Sequence, residues 1–301
     1  MTQTLFAGIE GGGTKFVCAV ADENNHILAE TRIPTTSPEQ TLSACADFFQ
    51  KQKDSGDIKS LGIACFGPLD PRPDSEGYGH ILATPKPGWA GADVVGFFKQ
   101  RLDLPIAFDT DVNGAVLAES LWGAGKGLKN LVYFTIGTGI GAGVIAEGNL
   151  VHGFLHPEMG HIMLARDPEQ DPFPGSCPFH GACFEGLASG PAIEKRWGLK
   201  GDQLPPEHPA WALEAHYIAL ALVSVTCALA PERIILGGGV MVQEQLLPMI
   251  RAEFEHLLNG YMQTPLITQH LKSYIVLTGL EGKAGLYGAF ALAHQALERD
   301  Q

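Results

Sequence analysis

Positive charge is scarce in this sequence: 20 Lys and Arg stand against 33 Asp and Glu, for a formal net charge of -13. The cations do not cluster. Unspecific nucleic-acid binding needs a basic footprint, so nucleic acid is not an expected partner. An acidic balance leaves room for an anionic ligand, because glycine-loop amides bind phosphate locally. Long hydrophobic runs are also missing. The longest, Tyr217 to Ala230, carries Ser224 and Thr226 and is shorter than a bilayer span. It reads as a buried helix, and no membrane partner is expected. Met1 to Ile9 has no basic region followed by an apolar core, so no signal peptide is read. Cysteine is sparse, with six residues. Cys18, Cys45, Cys65 and Cys227 lie in apolar contexts and read as reduced core residues. That usage points to a reducing cytoplasm.

Glycine, by contrast, is abundant: 37 Gly and 20 Pro in 301 residues imply many tight turns in a chain long enough for two domains. The pattern predicts strands over 5–10, 15–21 and 26–33, a helix over 38–51 and a strand over 60–66 that ends in Gly67-Pro68. A long excursion over 70–92 precedes a helix over 93–102 and a strand over 105–108. The second half repeats the theme. Strands over 131–136 and 141–146 flank another Gly turn, and helices follow over 190–197 and 211–230. A strand over 233–236, a helix over 240–258, a strand over 273–277 and a helix over 282–297 complete the chain. Each half opens with strand, Gly turn, strand. The implied class is a duplicated α/β architecture with a cleft between its halves.

Three Gly turns each follow a strand. The first is Gly8-Ile-Glu10-Gly11-Gly12-Gly13-Thr14-Lys15. Its amides suit phosphate oxygens, Thr14 offers a hydroxyl and Lys15 a charge, although the spacing is not that of a Walker A motif. The second is Gly137-Thr138-Gly139, and the third, Gly237-Gly238-Gly239, sits at a strand-to-helix junction where a helix N-terminus is expected to receive an anion. One such turn is a weak signal, and three shift the reading towards a nucleotide site. Asp109-Thr-Asp111-Val-Asn113 follows a strand, where open α/β sheets bind ligands. Asp111 is the candidate base, because a carboxylate accepts a proton from a hydroxyl attacking phosphorus. Asn113 stands equally as the N-cap of a helix over 114–122 or as a ligand residue.

The richest stretch runs from His156 to Glu185. It holds His156, Glu158, His161, Cys177, His180, Cys183 and Glu185. Thiolate and imidazole together suit Zn²⁺. Cys177-x2-His180-x2-Cys183 offers three ligands from one loop, and His161 completes a tetrahedron. Four protein ligands leave no open position, which marks a structural zinc. His152, His216 and His294 read as solvated or core imidazoles.

These motifs together resemble the ROK sugar kinases, in particular their bacterial fructokinase branch, over nearly the whole chain. Glu10 to Lys15 resembles the first phosphate loop, with Glu where the family usually has Asp. Asp111-Val-Asn113 resembles the catalytic segment, Gly137 to Gly141 the second phosphate loop, and Glu158-Met-Gly-His161 the Glu-x-Gly-His signature. Cys177 to Glu185 resembles the Cys-rich signature, with His180 replacing a family Cys. Thr84-Pro-Lys-Pro-Gly-Trp89 resembles the branch's sugar loop.

The resemblance implies a duplicated actin-like ATPase (ribonuclease H-like) fold with two domains around a central cleft. Residues 1–113, joined by a C-terminal helix over about 287–301, would form the N-terminal α/β domain. Residues 114–286 would form a larger C-terminal domain with the zinc loop. It implies ATP-dependent phosphorylation of a hexose 6-hydroxyl, fructose first, with Asp111 as general base and Mg²⁺ accompanying ATP. Asn113, Glu158, His161, Glu185, Thr84 and Gly67 would bind the sugar. Glu10, Gly11, Gly12, Gly13, Thr14, Lys15, Gly137, Thr138, Gly139, Gly237, Gly238 and Gly239 would bind ATP. His161, Cys177, His180 and Cys183 would hold Zn²⁺. Whether His161 serves zinc, sugar or both stays open. So do glucose, mannose and N-acetylhexosamine as alternative substrates, and a non-catalytic sugar sensor as an alternative function. A homodimer is expected from the same resemblance.

Overall fold

The computed structural model describes residues 3–52, 56–84, 86–280 and 282–300. Its contacts divide the chain into two units. One comprises Met1–Trp122, Leu150–Pro157 and Lys283–Gln301, and the other Gly123–Asn149 and Glu158–Gly282.

The first unit is built on strands β1 (Thr4–Gly11), β2 (Lys15–Asp22), β3 (Ile27–Pro34), β4 (Asp57–Cys65) and β5 (Ile106–Thr110), in the sheet order β3-β2-β1-β4-β5. β1 pairs antiparallel with β2 and parallel with β4, and β4 pairs parallel with β5. β1, β2 and β4 are nearly continuous apolar runs, as strands covered on both faces must be. The two-residue period sorts their side chains. Leu5, Ala7 and Ile9 join Cys18, Val20, Leu61 and Ile63 under helices α1 (Pro38–Gln52) and α2 (Val94–Leu102). Phe6 joins Val17, Ala19 and Ala21 on the opposite face, under the final helix, Ala284–Asp300. β3 alternates half-buried and exposed positions, as an edge strand covered on one face should.

That final helix approaches the sheet closely. A Cβ on Gly62 would overlap the Ala289 carbonyl, and Ser60 Oγ donates to Ala293 O at 2.6 Å. Helix α3 (Asp111–Trp122) packs on it where Gly288 meets the Gly114 backbone. The break expected after Asn113 therefore falls inside one continuous helix, whose partners lie in the first unit.

The second unit repeats the order with β6 (Leu131–Ile136), β7 (Ile140–Ala146), β8 (Asn149–Leu150), β9 (Arg233–Gly237) and β10 (Ile275–Leu277), arranged β10-β9-β6-β7-β8. β6 pairs antiparallel with β7 and parallel with β9, as β1 does with β2 and β4. Helices α4 (Phe184–Ala188), α5 (Gly190–Trp197), α6 (Ala210–Leu229), α7 (Leu246–Leu258), α8 (Pro265–Thr268) and α9 (Leu271–Tyr274) follow the sheet, and α10 is Ala284–Asp300.

Four expectations change. α6 has 20 residues, so length alone does not exclude a bilayer span. Its packing settles the matter: Trp211, Tyr217, Ile218, Leu222 and even Glu214 are buried, and α7 lies against it as in a core helix. Cys227, on α6, is exposed rather than part of the core. The helix expected over 240–258 is interrupted. A single 3-10 turn covers Gly239–Val242, and α7 starts at Leu246. Pro248 explains the break, being tolerated in the first turn of a helix and not in its interior. The strand expected over 273–277 begins only at Ile275, because Leu271–Tyr274 forms the helical turn α9, in which Ser273 N and Tyr274 N both donate to His270 O.

Candidate functional site

In the first sheet Gly11, Cys65 and Thr110 stand in one register row at the carboxyl ends of the parallel strands β1, β4 and β5. Open α/β sheets bind ligands at such ends. A Cβ on Gly11 would press on Cys65 Sγ and the Phe16 ring, so only glycine fits there. Cys65 is fully buried. Burial first, then the carboxylate of Asp111, push its thiol well above the usual range. Asp111, the residue after Thr110, thus stands near the Cys65 thiol, and Cys65 is the strand neighbour of Gly11.

The turn itself is pinned from behind. Gly12 N donates to Lys15 O at 2.9 Å, Thr35 Oγ1 to Gly12 O at 2.7 Å, and Thr35 N to Thr14 O at 2.9 Å. Lys86 Nζ donates to Gly13 O at 2.6 Å. Glu10 ends the apolar run of β1. Its pKa is raised by burial, against which the Lys15 charge acts.

Around Asp111 the structure reassigns two roles. α3 begins at Asp111, so Asn113 is its third residue and not its N-cap. Thr110 caps instead, its Oγ1 accepting from Asn113 N at 3.1 Å. Asn113 is completely buried, and its Nδ2 donates to Asp109 Oδ1 at 2.7 Å. Its Oδ1 has no hydrogen-bond partner among the described residues. A buried orphan acceptor favours a ligand role over a structural one. His152, read above as a plain imidazole, places Nε2 2.8 Å from Asp109 Oδ2. That hydrogen bond raises its pKa, against partial burial. His156 is buried, and its Nε2 accepts from Leu69 N at 3.2 Å. Burial lowers its pKa, which suits a neutral acceptor. A Cβ on Gly67 would meet the same His156 nitrogen at 3.2 Å. Thr84 Oγ1 accepts from Lys86 N at 3.4 Å. Pro85 of the same loop lies outside the described residues.

In the second sheet the other two Gly turns are neighbours. Thr135 pairs with Gly237 at the ends of β6 and β9. Gly137 N donates to Gly139 O at 2.9 Å, and Gly137 O accepts from Gly190 N at 2.7 Å. Thr138 is exposed at the tip. Gly238 has φ 93° and lies against the Ile136 backbone, a place and conformation that exclude a side chain. The expected long-helix N-terminus is absent there, since only the four-residue 3-10 turn follows.

The His–Cys cluster assembles as its spacing promised. His161 ends a 3-10 turn, Met159–His161, whose Gly160 lies against the Ile140 carbonyl. Cys177 Sγ lies 3.7 Å from His161 Nδ1 and 3.8 Å from His180 Nδ1, and Cys183 Sγ lies 3.5 Å from His161 Nδ1. Tetrahedral zinc with ordinary bond lengths has S···N edges of about 3.6 Å. The four ligand atoms all lie within 4.8 Å of one another, so the residues fit the ion. Glu185, on α4 just after Cys183, accepts from Ile140 N at 3.0 Å and so braces the second Gly turn. Glu158 is exposed as a residue, yet its carboxyl is crowded. Burial and then the Glu185 charge push it up to about 7. Behind this region Arg196 donates to Leu187 O at 3.0 Å and to Asp171 at 3.0 Å, which fixes α4.

Two five-stranded sheets of matching order, each with a Gly turn between its first two strands, define the actin-like ATPase fold of hexokinases. Within that class residues 6–296 match the ROK family, and the chain belongs to it. It is 45% identical over 294 residues to the fructokinase of Pediococcus pentosaceus, covering 98% of this chain and 99% of that one. It is 45% identical over 296 residues to a putative fructokinase of Bacillus subtilis, covering 98% and 97%. A ROK family glucokinase from Streptomyces griseus, solved in complex with glucose and AMPPNP, superposes with a TM-score of 0.77 at 26% identity, covering 97% of this chain and 99% of that one.

Thr35, Lys86, Thr110 and His152 were not singled out from the sequence, and His156 was given no role there. Thr35 and His152 stand in no recurrent motif. Lys86 and Thr110 lie inside the Thr84–Trp89 and Asp109–Asn113 segments, and Lys86 carried a signal as the single charge of its loop.

Proposed function

We propose that this protein is an ATP-dependent fructokinase that phosphorylates the 6-hydroxyl of D-fructose. The observation that carries the reading is 45% identity to a fructokinase over 98% of the chain. Asp111, at the sheet ends beside the first Gly turn, takes the proton from the attacking hydroxyl. Asn113 offers its unsatisfied buried Oδ1 to a sugar hydroxyl. Glu158, Glu185 and His161 accept or donate to others, with Gly67 and Thr84 lining the sugar. A site whose polar groups expect particular hydroxyls rejects sugars that lack them.

The amides of Gly11 to Thr14 and of Gly137 to Gly139 take phosphate oxygens, with Lys15 adding charge. Gly237 to Gly239 leave room for the adenosine. Glu10 would hold Mg²⁺ through water, and the ion would supply the charge that neutralises the phosphates. His161, Cys177, His180 and Cys183 would hold zinc as a structural clasp for the loop before Glu185. His161 turns Nδ1 to Cys177 and Cys183, which would leave its Nε2 for a sugar hydroxyl. The protein works in the cytoplasm as a homodimer on this reading.

A coupled ADP-release assay over fructose, glucose, mannose and N-acetylhexosamines tests the substrate. Fructose should give the highest kcat/KM. A preference for any other sugar by tenfold would replace the substrate and keep the kinase.

A further inference from the structure

The tip of the first Gly turn is held by a residue from a distant loop. An anion-binding turn needs the negative ends of its carbonyls occupied, so that they do not repel the ligand, and its amides free. Thr35 does this for two carbonyls, those of Gly12 and Thr14. The third, Gly13 O, is taken by the ammonium of Lys86 at 2.6 Å. Among the described residues, no acceptor takes the amides of Gly13 and Thr14. A Cβ on Gly13 would meet nothing within 4 Å, so this tip is open.

Lys86 is delivered there by a rigid anchor. Trp89 is fully buried, donates Nε1–H to Thr36 O at 2.8 Å, and stacks on Phe16 with centroids 5.3 Å apart. Phe16 directly follows Lys15 at the end of the Gly turn. Trp89 N donates to Lys86 O at 3.2 Å, which folds the intervening residues into a turn. The loop and the Gly turn thus share one aromatic support, and Lys86 projects from the first onto the second.

The charge of Lys86 is unspent. Lys15 acts on the Glu10 carboxyl, whereas Lys86 makes no ion pair with any described carboxylate. An ammonium has three donors, and one carbonyl uses one of them. We propose that Lys86 is a catalytic residue that donates to the terminal phosphate of ATP from the tip of the Gly13 turn. Charge develops on those phosphoryl oxygens during transfer, and a preplaced cation stabilises it. Resting on the kinase reading above, this adds a residue that links the sugar-side loop to the phosphate turn.

The test measures binding and turnover separately, on the full chain. Calorimetry with MgADP and with Mg·AMPPNP isolates the terminal phosphate. Lys86→Met should weaken Mg·AMPPNP by about tenfold or more, as loss of a charge-assisted hydrogen bond does, and leave MgADP within about threefold. Its kcat should fall by about 10²-fold with fructose KM nearly unchanged. Lys86→Gln can still reach Gly13 O without charge, and it should behave like Lys86→Met. Lys86→Arg should recover most of both losses. Wild-type affinity for Mg·AMPPNP in Lys86→Gln overturns the proposal, as does equal weakening of both nucleotides. If the wild-type protein phosphorylates no sugar while Lys86→Met still loses the terminal-phosphate increment, the substrate reading fails and this one stands.

Discussion

Nε2 of His152 lies 2.8 Å from Oδ2 of Asp109, and the other oxygen of that carboxylate receives Nδ2 of Asn113 at 2.7 Å. One buried carboxylate therefore orients an imidazole and the amide that carries the unsatisfied Asn113 oxygen. The hydrogen bond to Asp109 raises the His152 pKa. A group whose folded pKa is raised adds stability that is complete below its unfolded pKa, about 6.5 for His. That stability is lost as pH rises through the folded value. His152→Asn should cost about 1–2 kcal/mol at about pH 5.5 and clearly less at about pH 9. Urea denaturation of both proteins at the two pH values checks it. A cost that grows with pH would show that the pair is not held by the imidazolium.

Asp111 opens α3 and borders the Gly11 turn through Cys65. Removing a general base costs about 10²–10⁴ in rate. Asp111→Asn should lose kcat in that range and keep fructose affinity within about threefold, since the amide retains a similar shape. Fluorescence titration with fructose and the ADP-release assay separate the two effects. Near-normal turnover by the variant would remove Asp111 from the base role.

The sequence made the doubled sheet legible because β1, β6 and β9 are apolar runs that lead into Gly turns. The four residues of the His–Cys cluster were legible for a related reason: thiol and imidazole at short spacing have few other uses. What stayed hidden was set by tertiary packing. His152 and Asp109 are 43 residues apart, and Lys86 and Gly13 are 73 apart, so no local pattern links them. The cap of α3 was misplaced because Asn113 and Thr110 are both good caps, and only the helix start at Asp111 chooses between them. The interruption before α7 was readable from Pro248, which the apolar periodicity of 240–258 overshadowed.

Gly62 faces α10 so closely that a methyl group would overlap the Ala289 carbonyl. Backbone cannot rotate away as a side chain can, so the helix has to shift. Ser60 holds it through Ala293 O at 2.6 Å and resists that shift. Gly62→Ala should therefore destabilise the protein by about 1–3 kcal/mol or more through overpacking, despite its better strand propensity. Thermal unfolding followed by circular dichroism measures it. An unchanged Tm would mean that α10 does not seat on β4 in solution as it does here.

Zinc should count as one ion per chain, since His161, Cys177, His180 and Cys183 form a single cluster. Cys177→Ala removes the ligand that approaches both His161 and His180. Three remaining ligands bind zinc far more weakly, so elemental analysis should find the metal lost after dialysis. The fructose KM should rise by about tenfold, because Glu185 stands two residues after Cys183 and loses its fixed loop. A zinc-free protein with the wild-type KM would make the cluster irrelevant to the sugar.

Glu158 offers the most direct pH signature of the proposed sugar site. Burial and the neighbouring Glu185 charge raise its carboxyl to about 7. A carboxylate accepts sugar hydroxyls more strongly when ionised than when protonated. As pH falls from about 8 to about 6, Glu158 gains its proton and loses that capacity, so the fructose KM should rise over this window. Binding should also release protons near neutrality, because a ligand that prefers the ionised form lowers the pKa. Calorimetry in buffers of different ionisation enthalpy reads that release. Glu158→Gln should raise the KM by about tenfold and flatten its pH dependence, with no proton release from this source. A wild-type KM that stays constant across the window would show that Glu158 does not bind the sugar through its ionised carboxylate.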